Sequence, residues 1–318
     1  MDHTGTTAME GAILSVLAGT PLDEAAGEVR TSPARLADAV ERYRAAGRAA
    51  LTTSPAGWHQ VNIEFADYPT AERAFRAYIL PALRTGPVGT WWFVRKYPCW
   101  RLRVQASPDA RIKDAVAQVT EALDSALSWG VAKGWWSSLY EPETIAFGGT
   151  EGLMLGHTLF HTDSVGVLHY HQHAAEGTGG LLGAKETSLL VTALFLRAAG
   201  LEWGEQGDVW GQIEARRPLP EDVSPDQVSR MADTLRRLLT LDAGPTLTDG
   251  PLVPLGNWVT GMERGGRTLA DAARAGSLQL GLRGILARHV LFHWNRMGFT
   301  TRQQAIWARA ARETVFGS

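Results

Sequence analysis

Apolar positions between Met9 and about Leu51 recur every three to four residues, the period of a helix packed on one side. AILSVLAG ends at Gly19, LDEAAGEV makes a short second helix, and Thr31-Ser32-Pro33 is a cap signal for a third, ARLADAVERYRAAGRAAL. Residues 1–8 read as a disordered start, and TTSPAG at 52–57 reads as a linker by composition. The pattern predicts a three-helix, helix-turn-helix-like extension over residues 1–52. The period then changes. WHQVNIEF alternates as a strand, TAERAFRAYILPAL follows as a helix, and WWFVRKYPCWRLRV reads as two strands joined at Lys96-Tyr97-Pro98. An amphipathic helix covers roughly 110–129, and Gly134 to Tyr140 reads as a further strand. After Gly183 helices are predicted at 184–200, 224–241, 268–276, 279–298 and 300–315, with a mobile Pro-, Gly- and Thr-rich loop from about 243 to 260. The fold class is α+β: a domain over 58–318 with a largely covered sheet and a helical C-terminal half.

At 318 residues the chain can bury a substantial core. A net charge of −2 offers no attraction to nucleic acid or an anionic membrane. The helix-turn-helix pattern suggests DNA binding, but residues 1–52 hold five arginines against seven acids, the wrong sign for a phosphate backbone. A docking or packing role fits better. One cysteine, Cys99, excludes an intramolecular disulfide framework and a CxxC metal cage, which fits a reducing cytoplasm. No apolar run approaches about 18 residues, so no membrane span is expected. Twelve tryptophans are unusual, and they suit either a Trp-rich core or the walls of a peptide groove.

Candidate chemistry concentrates in three places. In Trp100-Arg101-Leu102-Arg103-Val104, a period of two puts Arg101 and Arg103 on the face opposite the apolar residues. Two neighbouring guanidiniums suit a carboxylate ligand, held bidentately; a solvated face, or salt bridges to Glu141 or Glu143, would serve equally. Tyr140 to Ser164 joins an acidic turn, a Phe-Gly-Gly break and a helix carrying His157, His161 and Asp163. His157/His161 and His289/His293 have zinc-compatible i, i+4 spacing, yet neither pair contains the Glu of HExxH or a third ligand, so no metal is assigned. His169, His171 and His173 alternate in HYHQH as an exposed strand or loop would. His293, beside Asn295 and Arg296, suits an acid/base role or a core or capping role. No phosphate-cradling glycine loop, GxSxG elbow or dinucleotide fingerprint occurs, so no cofactor is assigned.

Taken together, WWFVRKYPCWRLRV, YEPETIAFGG with HTLFHTDS, EQGDVW at 205–210 and HVLFHWNRMG resemble the C-terminal, glutamate-elimination domain of lantibiotic dehydratases, including its stand-alone thiopeptide-type bacteriocin biosynthesis form. The resemblance covers about residues 58–318 and implies work on a leader-bearing precursor peptide in the cytoplasm, beside a glutamyl-tRNA-dependent glutamylating dehydratase partner. It implies Arg101 for charge stabilisation, with Arg103 and Arg95 in support, and His293, or less well His289, as proton carrier. Tyr140, Glu143, Phe147, His157 and Arg296 are implied as substrate contacts. The same family includes pyridine synthases, which join two dehydroalanines in a formal [4+2] cyclisation and then lose water and the leader peptide. Elimination domains commonly carry Arg immediately before the aromatic-Gly-Gly, where this chain has Ala146, and often a His where it has Leu291. A third, non-catalytic reading is a scaffold that recruits the leader peptide or docks the partner.

Overall fold

The structure, a computed structural model, describes residues 3–53, 57–177, 179–250 and 252–317. Two compact units divide the chain, Met1–Gly57 and Trp58–Ser318. In the first, α1 (His3–Leu17), α2 (Leu22–Glu28) and α3 (Pro33–Thr53) pack around Ile13, Ala25, Ala26, Leu36 and Val40. Ser32 Oγ accepts the Arg35 amide at 3.3 Å, and Pro33 opens α3, as the cap signal predicts. The expected disordered start is instead helical from His3. A polar leading turn has no apolar period, so the pattern could not show it. Thr52 and Thr53 close α3, and residues 54–56 of the expected linker lie outside the described residues.

In the second unit, β1 (Trp58–Phe65), β2 (Val88–Lys96), β3 (Cys99–Ala106) and β4 (Ala132–Ser138) form an antiparallel sheet in the order β2-β3-β1-β4. The first crossover is α4 (Ala71–Ala74), a π turn at Phe75–Ile79, and α5 (Leu80–Leu83); the second is α6 (Ile112–Ser128). Ile63, Phe93, Trp100, Leu102 and Val104 share one core with Phe75, Ile79, Val119 and Leu123 of these crossovers. The opposite face carries Trp92 paired with Arg103, Arg103 with Gln60, and Arg101 with Asn62. The alternation read from WRLRV therefore separates the faces as expected.

The free edge of β2 is covered by α7 (Gly149–Ala175). The Phe93 amide donates to Ser164 Oγ at 3.2 Å, and His161 Nδ1 lies 2.8 Å from the Trp91 carbonyl oxygen. A 3₁₀ turn, Ile145–Phe147, leads into α7 through Gly148 and Gly149, both near φ +88° and +87°. This left-handed conformation suits glycine, and a Cβ on Gly148 would also come within 2.6 Å of Ile285 Cδ1. HYHQH lies in the last turns of α7 rather than in a strand or loop. Val167, Leu168 and Tyr170 are buried at helical spacing there, and that period outweighs the alternation of the histidines.

The remaining helices are α8 (Ala184–Ala198), α9 (Trp203–Arg216), α10 (Pro225–Ser229), α11 (Ala232–Leu239), α12 (Ala243–Asp249), α13 (Gly256–Arg274), α14 (Leu282–Met297) and α15 (Thr301–Phe316). Helix α9 was not expected from the pattern, and the expected loop at 243–260 is α12, a 3₁₀ turn and the start of α13. Glycines in GMERGG read locally as breakers. In the fold, Trp258, Val259, Met262 and Leu269 bury one stripe of α13, and Trp258 packs where a Cβ on Gly166 of α7 would lie 2.0 Å from its ring. Seven tryptophans (91, 92, 100, 210, 258, 294 and 307) are buried, so most serve the core. No described helix is long and apolar enough to cross a membrane.

Candidate active site

Arg95 at the end of β2 and Arg101 and Arg103 on β3 line one cleft, closed opposite by Phe292 and Asn295 of α14 and the start of α15. Its main chamber is about 610 Å³. A side pocket of about 400 Å³ shares Glu143, Arg217, Phe292 and Asn295 with it. A narrow inner recess is lined by Trp92, Tyr140 and Phe147 together with Arg103, Glu143 and Phe292. The sheet face and the Tyr140–Phe147 turn thus meet, although about forty residues separate them in sequence.

The three arginines are held differently. Arg101 is half-buried and, among the described residues, its guanidinium has no hydrogen-bond or ion-pair partner. Neither Glu141 nor Glu143 pairs with the strand arginines; Glu143 lies 3.6 Å from Arg288. Arg103 is 7% exposed, donates from Nε to Gln60 Oε1 at 2.7 Å, and lies 4.1 Å over the Trp92 ring and 5.1 Å over Tyr140. Its Nη1 is buried without a partner among the described residues, and burial pulls its pKa down to about 10. Arg95 reaches His171 Nε2 at 3.2 Å and has an unpartnered buried Nε. Burial lowers its pKa to about 10 as well, against the pull of Glu72. These are cations kept short of counter-charge, which favours an anionic ligand.

Proton-handling groups are less available. Burial, and then Arg103, push the His157 pKa down to about 4, so the ring is neutral near pH 7, and its Nε2 lies 2.8 Å from the Tyr140 hydroxyl. Burial raises the Tyr140 phenol above its ordinary value. Phe147 is buried against Phe160, Phe292 and His289. Glu143 is the exposed carboxylate that borders both chambers and the recess.

His293 and Arg296, expected as proton carrier and substrate contact, line none of these spaces. They sit behind the aromatic wall. Asp163, 2% exposed, accepts from His293 Nδ1 at 2.9 Å, Arg296 Nη1 at 2.9 Å and Trp258 Nε1 at 3.1 Å. His293 Nε2 meets Ser188 Oγ at 2.7 Å, and Ser188 is buried too. The order Ser–His–Asp is that of a nucleophilic relay, but with every member buried it has no access to a substrate. Both ring nitrogens of His293 are engaged in these bonds. Burial would raise the Asp163 carboxyl, yet His293 and Arg296 outweigh it and hold the group below the usual carboxylate range. Arg296 stacks over Phe160, Trp92 and Phe292, at 5.0, 5.7 and 5.9 Å, and so braces the wall.

Pattern reading missed Arg216, Arg217 and Arg288 of the side pocket, and Ser188. The one signal was the basic pair closing α9, which reads equally well as a solvated helix end. Leu291, 4% exposed and part of the core, borders the side pocket.

His289 sets a pH expectation. It is buried among Phe147, Phe160 and Phe195, its Nε2 lacks a partner, and burial drives its pKa from 6.5 to about 3. Between those values the unfolded chain binds the extra proton, so stability falls as pH drops below about 6.5 and is lost progressively toward 3. In urea titrations from pH 7 to 4, His289→Phe should flatten that loss; an unchanged pH slope would assign it to other groups.

Residues 58–315 match the sequence model of a family described as lantibiotic biosynthesis dehydratase, C-terminal. No curated protein matches the sequence. Among solved structures, the tRNA-dependent lantibiotic dehydratase MibB from Microbispora sp. 107891 is similar with a TM-score of 0.58 at 16% identity. That match covers 83% of this chain and 28% of MibB, so the chain spans little more than a quarter of that protein. The crystal structure of TsrL is similar with a TM-score of 0.54 at 16% identity, covering 82% of this chain and 95% of TsrL. Because the family match spans most of the sequence and both structures share the fold, the chain belongs to the lantibiotic biosynthesis dehydratase C-terminal family.

Proposed function

We propose that the protein eliminates glutamate from glutamylated Ser or Thr residues of a ribosomally made precursor peptide, leaving dehydroalanine or dehydrobutyrine, and works with a separate glutamylating partner. The observation that supports this reading is the convergence of Arg95, Arg101 and Arg103 on one cleft whose bordering carboxylate is Glu143. In the elimination a base takes the α-proton, the electron pair forms the Cα–Cβ double bond, and the Cβ–O bond breaks to expel a carboxylate. Arg101, half-buried and without a hydrogen-bond or ion-pair partner among the described residues, would stabilise the developing enolate and carboxylate charge. Arg103, rigidly stacked, adds a fixed positive field. With His293 bonded to Ser188 and Tyr140 bonded to His157, Glu143 is the cleft group suited to accept the proton.

A second reading, the [4+2] cyclisation of two dehydroalanines, draws on Ala146 and Leu291, which put methyl and isobutyl groups where elimination domains commonly have Arg and His. Mass spectrometry separates the readings. Glutamylated peptide incubated with the protein should lose glutamate, each event giving one dehydro residue. If instead only a bis-dehydroalanine peptide reacts, splitting into leader and macrocycle, elimination is wrong. Precursor binding with no change of mass on either substrate would leave the scaffold reading.

A further inference from the structure

We propose that the side pocket is a second carboxylate subsite, in which Arg216, Arg217 and Arg288 hold the carboxylate of glutamate that does not take part in bond breaking. This inference rests on the elimination reading. Glutamate carries two carboxylates: one is freed as the Cβ–O bond breaks, and the other stays charged throughout. The strand arginines of the main chamber serve the first. The side pocket shares Glu143, Arg217, Phe292 and Asn295 with that chamber, so it adjoins it and is near enough to take the second.

Charge in the pocket is unbalanced. Three guanidiniums face one carboxylate, Glu143, and the Arg288–Glu143 contact at 3.6 Å is longer than a hydrogen bond. The other arginines are fixed by neutral acceptors. Arg216 Nη1 donates to the Gln212 carbonyl at 2.7 Å, Arg217 Nη1 to the Arg216 carbonyl at 2.9 Å, and Arg217 Nε to Gln304 Oε1 at 3.0 Å. Their orientation is therefore set while their charge stays uncompensated. Burial and then the nearby charge of Arg288 lower the Arg216 pKa, as expected for like charges crowded together. Leu291 and Phe292 supply an apolar floor, which strengthens the attraction for an anion. All three border one pocket that is partly open to solvent.

The test compares affinities of the full chain for L-glutamate and for L-2-aminobutyrate, which is glutamate without its γ-carboxylate, the one left free in an ester formed from glutamyl-tRNA, by calorimetry. The wild type should prefer glutamate by at least about tenfold, the effect of one charge-assisted hydrogen-bonded pair. Arg288→Ala should collapse that ratio toward one, and Arg217→Ala should lower it. Using a ratio removes any general loss of folded protein. A ratio unchanged in Arg288→Ala, or no measurable glutamate binding by the wild type, would overturn the subsite. If the wild type releases no glutamate from a glutamylated peptide yet shows an Arg288-dependent ratio, the elimination reading falls and the subsite stands.

Discussion

Asp163→Ala is expected to cost about 3–5 kcal/mol, the penalty for leaving a buried charge without its partner. Arg296 is 1% exposed, and Asp163 is its ion-pair partner, with Nε and Nη2 already unpartnered. Removing the carboxylate also strips the acceptors of His293 Nδ1 and Trp258 Nε1, so elements α7, α13 and α14 lose their shared anchor. Against a total stability of roughly 5–15 kcal/mol, such a loss takes the protein close to unfolding. Asp163→Asn, which retains one oxygen acceptor but not the charge, should cost less. Urea denaturation at pH 7 measures both; a midpoint for Asp163→Ala within experimental error of wild type would mean Arg296 finds another anion. Because the Asp163 pKa is depressed in the fold, its contribution is complete above the unfolded value of 3.8 and is lost only as pH falls further. Acid loss between pH 6.5 and 4 therefore belongs to the neutral buried histidines instead.

Arg101→Ala should reduce glutamate release from a glutamylated peptide by about a hundred- to a thousandfold, the range for removing one group that stabilises charge developing in a transition state. Stability should hardly change, because Arg101 is half-buried and, among the described residues, unpartnered. That contrast with Asp163 separates chemistry from architecture. Arg101→Lys keeps the charge but loses the planar fork and should recover only part of the rate. Single-turnover release followed by mass spectrometry reads the effect, with thermal unfolding as the control. A folded Arg101→Ala protein that releases glutamate at the wild-type rate would remove this residue from the mechanism.

Some features were legible because they rest on short-range periodicity. The β2–β3 hairpin and the two faces of WRLRV follow from a period of two, and the Phe-Gly-Gly break from glycine's access to left-handed backbone. Helices α9, α12 and the start of α13 were not legible, because glycine and proline look like breakers until a packed stripe such as that of Trp258 offsets them. The site divided the same way. Arg95, Arg101, Arg103 and Glu143 border the main chamber, and Tyr140 and Phe147 border the recess that shares Arg103 and Glu143 with it. His293 and Arg296, two positions before and one after Asn295, do not line the main chamber, since each step along a helix turns the side chain by about a hundred degrees.

By itself the sequence determined the family, the α+β class, the arginine-bearing strand and the substitutions Ala146 and Leu291, since motif order and alternation are properties of the linear chain. Only the tertiary structure decided which charges are spent. Asp163 pairs with Arg296 and His293 in the core, whereas Arg101 has no such partner among the described residues, and Arg216, Arg217 and Arg288 border a pocket with Glu143. The reason is physical: a side chain's partners and burial come from residues distant in sequence, and those partners set whether its charge is satisfied within the fold or left for a ligand.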